Sequence, residues 1–230
     1  MNFIFDLYGT LVDIKTDENR AKLWRIVCRE LGVCTFLGHS IKREYALLCK
    51  EKKHSAEHEI ELIDVFGDML QKRGKDRAQA HSLARLFRDS STEKLKLFDG
   101  VIEMLSSLRA SGAGVYLLSN AQSCFTRHEI EILGLADLFD GIILSSEVGV
   151  KKPYEQVFKI AFERFGITAD QSIYVGNDMR DDVLGATTAG MKTVYIHTEQ
   201  SGRYDGMLLP SPTYVAKNHR ELADLLISLS

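Results

Sequence analysis

The chain carries two kinds of hydrophobic pattern, and they occupy different parts of it. Short continuous apolar runs, such as Phe3-Ile4-Phe5, are typical of strands that are buried on both faces of a parallel sheet. Other stretches repeat apolar residues every three or four positions, which predicts helices with one buried face. From Phe98 to the end the two patterns alternate, and repeated strand-helix units predict a doubly wound parallel sheet with right-handed crossovers.

The sequence predicts six strands for this sheet, with helices between them. The predicted strands are 3–5, 115–118, 142–144, 173–175, 193–196 and, at one edge, 213–216. Helices are predicted to end near residues 111, 133, 165, 189 and 229. Residues 198–211, which contain Gly and Ser, are expected to form a loop.

Residues 15–95 carry the helical pattern alone. Thr16 or Asp17 is expected to cap the first helix, which ends near Leu31. Three further helices are predicted to begin near residues 40, 57 and 76. No strand pattern separates these four helices, so the block is predicted to be all-helical, with its apolar stripes forming a bundle core.

The position of this block defines the predicted architecture. It lies between the first and second strands of the sheet, and therefore interrupts the sheet domain rather than following it. The expected fold class is α/β, with a doubly wound, Rossmann-like parallel sheet core formed by 1–14 and 96–230 and an inserted all-helical cap domain formed by 15–95. A length of 230 residues suits one core domain that carries such an insertion.

Composition and charge narrow the expected partners. The net charge is -3, so there is no global basic field for a nucleic acid, and a nucleic-acid partner is not expected. Asp6 interrupts the apolar start and no apolar run is long enough for a bilayer, so a cytoplasmic protein without a membrane partner is expected. Four cysteines without Cys-x-x-Cys spacing suit a reducing compartment. The oligomeric state is expected to be a monomer or a homodimer.

Polar residues follow four of the predicted strands where each strand ends. The carboxyl ends of parallel strands meet at one edge of a sheet, where open α/β folds bind their ligands. Each residue alone could be a helix cap or a surface side chain, but four such strand ends predict a shared site. A buried carboxylate such as Asp6 is also costly unless it is paired or bound to a metal. The residues concerned are Asp6, Tyr8, Thr10, Ser119, Asn120, Lys152, Asp178, Asp181 and Asp182.

These residues fall in four motifs that resemble those of the haloacid dehalogenase superfamily of hydrolases. The run DLYGTL at 6–11 resembles the first motif, and LSNA at 118–121 resembles the second. The pair KP at 152–153 is similar to the third, and GND at 176–178 with DVLGA at 182–186 is similar to the fourth. Ordered motifs at predicted strand ends are far more specific than a lone match. The helical insertion resembles the subclass with an all-helical cap after the first motif.

The resemblance implies a catalytic role for several positions. Asp6 would be the nucleophile that forms a covalent aspartyl intermediate. Ser119 and Asn120 would orient the transferring group, and Lys152 would neutralise charge between the nucleophile and that group. The candidate catalytic residues are Asp6, Tyr8, Thr10, Ser119, Asn120 and Lys152.

The resemblance also implies a magnesium ion as cofactor. Mg²⁺ takes oxygen ligands and keeps several waters. Its expected ligands are Asp6, the backbone carbonyl of Tyr8, Asp178 and Asp182. Asn177 stands where many relatives have the first metal-binding Asp. Asp178 and Asp182 therefore resemble a version of the metal-binding motif in which the two acids are closer together. Without a cation, the carboxylates at 178, 181 and 182 would repel one another.

Tyr8 departs from the phosphatases of this superfamily, which usually carry a second Asp there as general acid and base. A phenol with a pKa of about 10 is a poor substitute for an acid that ionises near neutrality. Tyrosine at this position resembles the 2-haloacid dehalogenases, in which a halide leaves without a proton. Those enzymes use no metal and need an arginine from the cap, for which Arg25, Lys42 and Arg43 are candidates.

Three interpretations follow. The favoured one is a Mg²⁺-dependent phosphohydrolase of a small phosphorylated metabolite, with better activity toward aryl or acyl phosphates than toward poor leaving groups. The second is a metal-independent dehalogenase that acts on a 2-haloacid. The third is a metal- or ligand-binding protein that kept the fold and lost turnover through Tyr8. The sequence does not specify the substrate.

Overall fold

A six-stranded parallel sheet forms the centre of the structure, a computed structural model that describes residues 1–204 and 207–230. The predicted loop 198–211 includes Asp205 and Gly206, which lie outside the described residues. The strands in chain order are β1 Asn2–Phe5, β2 Val12–Thr16, β3 Thr92–Leu97, β4 Gly114–Ser119, β5 Gly141–Leu144, β6 Ser172–Gly176, β7 Lys192–Ile196 and β8 Tyr214–Ala216.

The strand order in this sheet is β5-β4-β1-β6-β7-β8, and every neighbouring pair is parallel. The chain moves outward from β1 in both directions, so β1 marks the point at which the winding reverses. Phe3 pairs with Val115 on one side and with Ile173 on the other, and all three residues of the Phe3-Ile4-Phe5 run are fully buried. The predicted α/β fold class, a doubly wound parallel sheet, is therefore confirmed.

Helices cover both faces of the sheet and build the inserted block. Leu105 and Leu222 pack on one face, and Phe158 and Ala186 pack on the other. The helices are α1 Ala21–Glu30, α2 Gly38–Lys52, α3 Leu62–Gln71, α4 Ala80–Ser91, α5 Val101–Ala110, α6 Ser123–Ile132, α7 Ser145–Val148, α8 Glu155–Phe165, α9 Gly185–Thr188 and α10 His219–Leu229. A π-helical turn, Met179–Leu184, precedes α9.

The four inserted helices pack around an apolar core of their own. Its centre is a group of four aromatic rings, Trp24, Tyr45, Phe66 and Phe87, with one ring from each of α1 to α4. Phe125 of α6 joins this group, with its ring centroid 6.2 Å from that of Phe87. Because α6 follows β4 of the sheet, this contact attaches the inserted helices to the sheet domain.

Two strands overturn the expectation that residues 15–95 contain helix alone. β2 and β3 pair antiparallel from Val12↔Leu97 to Thr16↔Thr92, across both predicted boundaries. The ribbon is exposed on one face, and its strands therefore lack the continuous apolar run that marks the buried strands.

Two helix starts also differ from the prediction. Thr16 ends β2, and Asp17 accepts a hydrogen bond from the Asn19 amide, so α1 begins at Ala21 without a side-chain cap. The helix expected from residue 57 begins at Leu62. Gln122 binds the backbone of Ile60 and Leu62 and holds the segment before α3 extended. This contact joins segments that are distant in sequence, so local patterns cannot indicate it.

The turn after β1 depends on a glycine. The Leu7 carbonyl accepts hydrogen bonds from the amides of Leu11 and Val12, at 2.8 and 2.9 Å. Gly9 inside this turn has a φ of +83°, and a Cβ there would lie 2.9 Å from Cγ of Asn177. Gly9 is therefore required both for the left-handed backbone and for the close approach of β1 to the end of β6.

A Gly9→Ala variant should be less stable than a Gly112→Ala variant. Both glycines have a φ of +83°, but a Cβ on Gly112 meets nothing within 4 Å. The shared backbone strain costs about 1–2 kcal/mol, and contact with Asn177 should add about 1–3 kcal/mol at Gly9. Urea unfolding of the two variants measures the difference, and equal losses would contradict the close packing.

Candidate active site at the carboxyl edge of the sheet

The carboxyl ends of β1, β4 and β6 bring polar residues to one cavity of about 180 Å³. These strands are neighbours at the point where the winding reverses, which is where open α/β sheets bind ligands. The cavity is lined by Asp6, Tyr8, Ser119, Asn120, Lys152, Asn177, Asp178, Asp181, Asp182 and Gln200. The structure therefore places every candidate catalytic and metal-binding residue in the lining of this cavity except Thr10, whose hydroxyl donates to Asp6.

Lys152 lies at the centre of the buried side of this site. Its Nζ donates to Oδ1 of Asp6 at 2.8 Å, to Oδ1 of Asp182 at 2.6 Å and to the hydroxyl of Tyr174 at 2.7 Å. Burial alone would lower the pKa of Lys152, but the Asp182 and Asp6 carboxylates raise it well above its usual value. The ammonium therefore stays charged and joins two carboxylates from different strand ends.

Asp6 is held by donors on both carboxylate oxygens. Oδ1 accepts from Ser119 Oγ at 3.0 Å as well as from Lys152, and Oδ2 accepts from Thr10 Oγ1 at 3.2 Å. The Thr10 hydroxyl also lies 3.1 Å from the amide oxygen of Asn177. These contacts fix the orientation of Asp6 and hold an acceptor oxygen at the cavity wall, which suits a nucleophile.

Asn120 holds the backbone of Lys152. Its Oδ1 accepts from the Lys152 amide at 2.8 Å, and its Nδ2 donates to the Lys152 carbonyl at 3.0 Å and to Oδ2 of Asp181 at 3.1 Å. The sequence predicted that Asn120 orients the transferring group. That role stays a prediction; in the structure the amide positions the backbone of the lysine that contacts Asp6.

The acids after β6 have different environments. Asp178 caps the π-helical turn by accepting from the amides of Arg180 and Asp181, and the Tyr204 hydroxyl binds its other oxygen. Asp182 is fully buried and directs Oδ2 to the Asp178 amide at 2.9 Å and Oδ1 to Lys152. Burial raises the pKa of Asp182. Burial and then the nearby Asp178 carboxylate raise the pKa of Asp181.

The Tyr8 phenol is bound to α6. It lies 2.9 Å from the Thr126 hydroxyl and donates to the carboxylate of Glu129, and both of these residues belong to α6. Burial, followed by the charge of Glu129, raises the pKa of Tyr8. Because the phenol keeps its proton, donates it in a hydrogen bond to Glu129 and loses it less readily than in water, Tyr8 is a poor proton donor for a leaving group.

Arg88 of α4 joins the inserted helices to this network. Its guanidinium donates to Oε1 and Oε2 of Glu129 at 2.6 and 3.1 Å, and its Cζ lies 5.5 Å from the ring centroid of Tyr8. Glu129 is only 4% exposed. A buried carboxylate thus binds the first-motif tyrosine and an arginine from the insertion at the same time.

Sequence reasoning missed Arg88 and Glu129. Of the predicted candidates, Arg25 and Lys42 line a separate cavity of about 270 Å³ that does not include Tyr8, and Arg43 is exposed. A signal for Glu129 exists, because it falls on the buried stripe of α6 with Phe125, Thr126 and Ile130. A charged residue within an apolar stripe indicates a specific partner.

No three acidic, histidine or cysteine side chains within residues 1–204 and 207–230 converge closely enough to hold a metal by themselves. A cation at this site would therefore also need a backbone carbonyl or water as ligands. Across the same residues, no helix is both long and apolar enough to cross a membrane.

Comparison with known proteins identifies the family. Residues 3–196 match the haloacid dehalogenase-like hydrolase family. The match includes the ends of β1, β4 and β6 and also Lys152, and the chain therefore belongs to this family. The resemblance that the four sequence motifs indicated is confirmed.

Individual relatives are named as phosphatases of different substrates. The chain is 32% identical over 105 residues to a glyceraldehyde 3-phosphate phosphatase of Methanothermobacter thermautotrophicus, which covers 46% of each protein. It is 28% identical over 198 residues to the phosphoglycolate phosphatase of Escherichia coli, covering 83% of this chain and 78% of that one. Among the first curated relatives, the chain spans only about half to two thirds of the relative's length, from 46% to 63%.

A solved structure supports the fold independently. The 2-haloacid dehalogenase from Pseudomonas syringae superposes with a TM-score of 0.69, covers 100% of both chains and is 23% identical. An identity this low supports a shared fold and carries no assignment of the reaction.

An Arg88→Met variant should lose about 3–5 kcal/mol of unfolding free energy, because it leaves the buried Glu129 carboxylate without its arginine. Arg127→Met is the matched control: Arg127 lies on α6 and binds Glu147 through two hydrogen bonds, but its side chain is 46% exposed. The control should lose about 0–1 kcal/mol. Denaturant unfolding of both variants tests this, and equal small losses would show that the Arg88 contact contributes little.

Proposed function

We propose that the protein is a Mg²⁺-dependent phosphohydrolase of small phosphorylated metabolites, with Asp6 as the nucleophile. The observation that carries this proposal is the charge of the Asp6 cavity. Four carboxylates line it, those of Asp6, Asp178, Asp181 and Asp182, against the single ammonium of Lys152. Such an excess of negative charge suits a divalent cation and would repel an anionic substrate in its absence.

The available ligands fit magnesium. Every candidate donor is an oxygen, and Mg²⁺ is typically held by one or two carboxylates while it keeps several waters. We assign the ion to Asp6, the Tyr8 carbonyl and Asp178. We predicted Asp182 as a further ligand, but it is buried and its Oδ1 binds the Lys152 ammonium, whereas Asp178 is partly exposed at the cavity. Its proposed role is therefore to hold Lys152. The bound ion would neutralise charge on the phosphate.

The residues then divide the chemistry as follows. An Asp6 carboxylate oxygen forms a bond to phosphorus while the bond from phosphorus to the leaving oxygen breaks, which gives a phosphoaspartate. Lys152 stabilises the developing negative charge, and Ser119 and Thr10 keep Asp6 in position. Water then attacks phosphorus while the bond from phosphorus to the Asp6 oxygen breaks, which releases inorganic phosphate and a proton and restores the Asp6 carboxylate.

Tyr8 limits which leaving groups can depart. The Tyr8 hydroxyl donates its proton in a hydrogen bond to Glu129, so the proposed reaction has no acid from this position to protonate the leaving oxygen. Leaving groups that are stable as anions, such as phenolates and carboxylates, need no such proton. The preference for aryl and acyl phosphates that Tyr8 suggested in the sequence thus gains a structural reason.

Two other interpretations are weaker. Tyr8 favours a 2-haloacid dehalogenase, but the Arg88 guanidinium beside Tyr8 is bound to Glu129 and is not free to bind a haloacid carboxylate. Relatives named as phosphatases also support the phosphohydrolase. A protein that binds its ligand without turnover is the outcome to consider if no hydrolysis is found.

Phosphate release from phenyl phosphate tests the proposal. Release should require both Mg²⁺ and Asp6: it should stop with a chelator and fall by at least about 10³-fold in an Asp6→Asn variant, since the nucleophile is lost. Ethyl phosphate, whose leaving group is far more basic, should be hydrolysed much more slowly.

Release that survives both the chelator and Asp6→Asn would contradict the proposal. If no phosphate appears, chloride release from 2-chloropropionate distinguishes the dehalogenase from a binding protein.

A further inference from the structure

A second cavity adjoins the Asp6 cavity on the side of Lys151 and Arg180. Its volume is about 380 Å³, and it shares Asn120, Lys152 and Asp181 with the Asp6 cavity. Lys53, Ala56 and Glu59 of the inserted segment form one wall, and residues that follow β5 and β6 form the other. A molecule bound at Asp6 could therefore extend into this second cavity, between the insertion and the sheet.

Three cations that the proposed chemistry does not use line this cavity. Lys53 directly follows α2, Lys151 follows α7, and Arg180 belongs to the π-helical turn. Within the described part of the chain, the side chains of Lys53 and Arg180 form no ion pair, and Lys151 reaches Glu59 only at 3.7 Å. Three separate segments thus direct positive charge toward one space.

Glu59 and Asp181 offset part of that charge, but the three cations outnumber these two acids. Glu59 also accepts a hydrogen bond from Gln122 at 3.2 Å, and Asp181 accepts one from Asn120 at 3.1 Å. Lys152, which borders both cavities, is occupied by Asp6 and Asp182. The charge that remains available to a ligand is therefore positive and lies on Lys53, Lys151 and Arg180.

A third cavity, which also includes Asn120, has the reverse character. It measures about 330 Å³ and is lined by apolar side chains that include Leu62 and Phe125. Its cation, Arg88, is bound to Glu129, and it also contains Glu18, whose pKa is raised by burial. An anionic group would be disfavoured there, so the two sides of the Asp6 cavity differ in the charge that they accept.

We propose that the cavity of Lys53, Lys151 and Arg180 binds a second anionic group of the substrate. The substrate would then be a phosphate monoester that carries a carboxylate or a further phosphate at its other end. This inference rests on the proposed function, because it assumes that the first phosphate binds at Asp6. It makes Lys53 and Arg180 specificity-determining residues that do not touch the reacting atoms.

Two non-hydrolysable ligands test the inference by binding alone. Calorimetry in the presence of Mg²⁺ should show 4-carboxyphenylphosphonate binding about twofold to fivefold more tightly than phenylphosphonate, as expected for one group held by exposed cations. Lys53→Gln and Arg180→Gln should each reduce this preference, and the double variant should reduce it more than either single variant. Affinity for phenylphosphonate should not change, which shows that the Asp6 cavity is intact.

The control variants are Lys50→Gln and Arg164→Gln. Lys50 is exposed on α2, the helix that ends just before Lys53, and Arg164 is exposed on α8. Both should keep the full preference. Equal affinity of the wild-type protein for the two phosphonates, or a preference that the double variant leaves unchanged, would overturn the inference while phenyl phosphate hydrolysis still supported the proposed function. Failure of both phosphonates to bind would overturn the two together.

Discussion

The buried ammonium of Lys152 is the interaction on which the site depends. It is 2% exposed and lies between Asp6 at the end of β1 and Asp182 after β6, while Asn120 after β4 binds its backbone. Removal of one partner from such a group leaves an uncompensated buried charge, which costs about 3–5 kcal/mol. The neighbouring strand ends are therefore held in one arrangement by a charge that can also stabilise a phosphoryl group.

A second buried charge, that of Glu129, connects the site to the inserted helices. It accepts from Tyr8, two residues after Asp6, and from Arg88 on α4. This explains why a tyrosine can occupy the position where phosphatases of the family usually have an acid. The residue contributes to the contact between the insertion and the sheet, and the proposed chemistry does without its proton.

The sequence was informative where the signal is local, and silent where partners come from distant segments. The Phe3-Ile4-Phe5 run predicts a central strand because a strand buried on both faces must be apolar throughout. The polar strand ends predict one shared edge because parallel strands align their carboxyl ends. The pairing of Arg88 with Glu129 has no such basis, since α4 and α6 meet only through tertiary packing. The β2–β3 ribbon was missed because its exposed face removes the apolar run. The catalytic and metal-binding roles of the edge residues stay predictions.

The central claim is that Asp6 itself takes the phosphoryl group. Radiolabelled phenyl phosphate mixed with the wild-type protein and Mg²⁺, and quenched in acid within the first turnover, tests it most directly. The account predicts label on the peptide that contains Asp6, with loss of that label in base and none in Asp6→Asn. Phosphate release by the wild-type protein with no label on the chain at any time point would contradict the account.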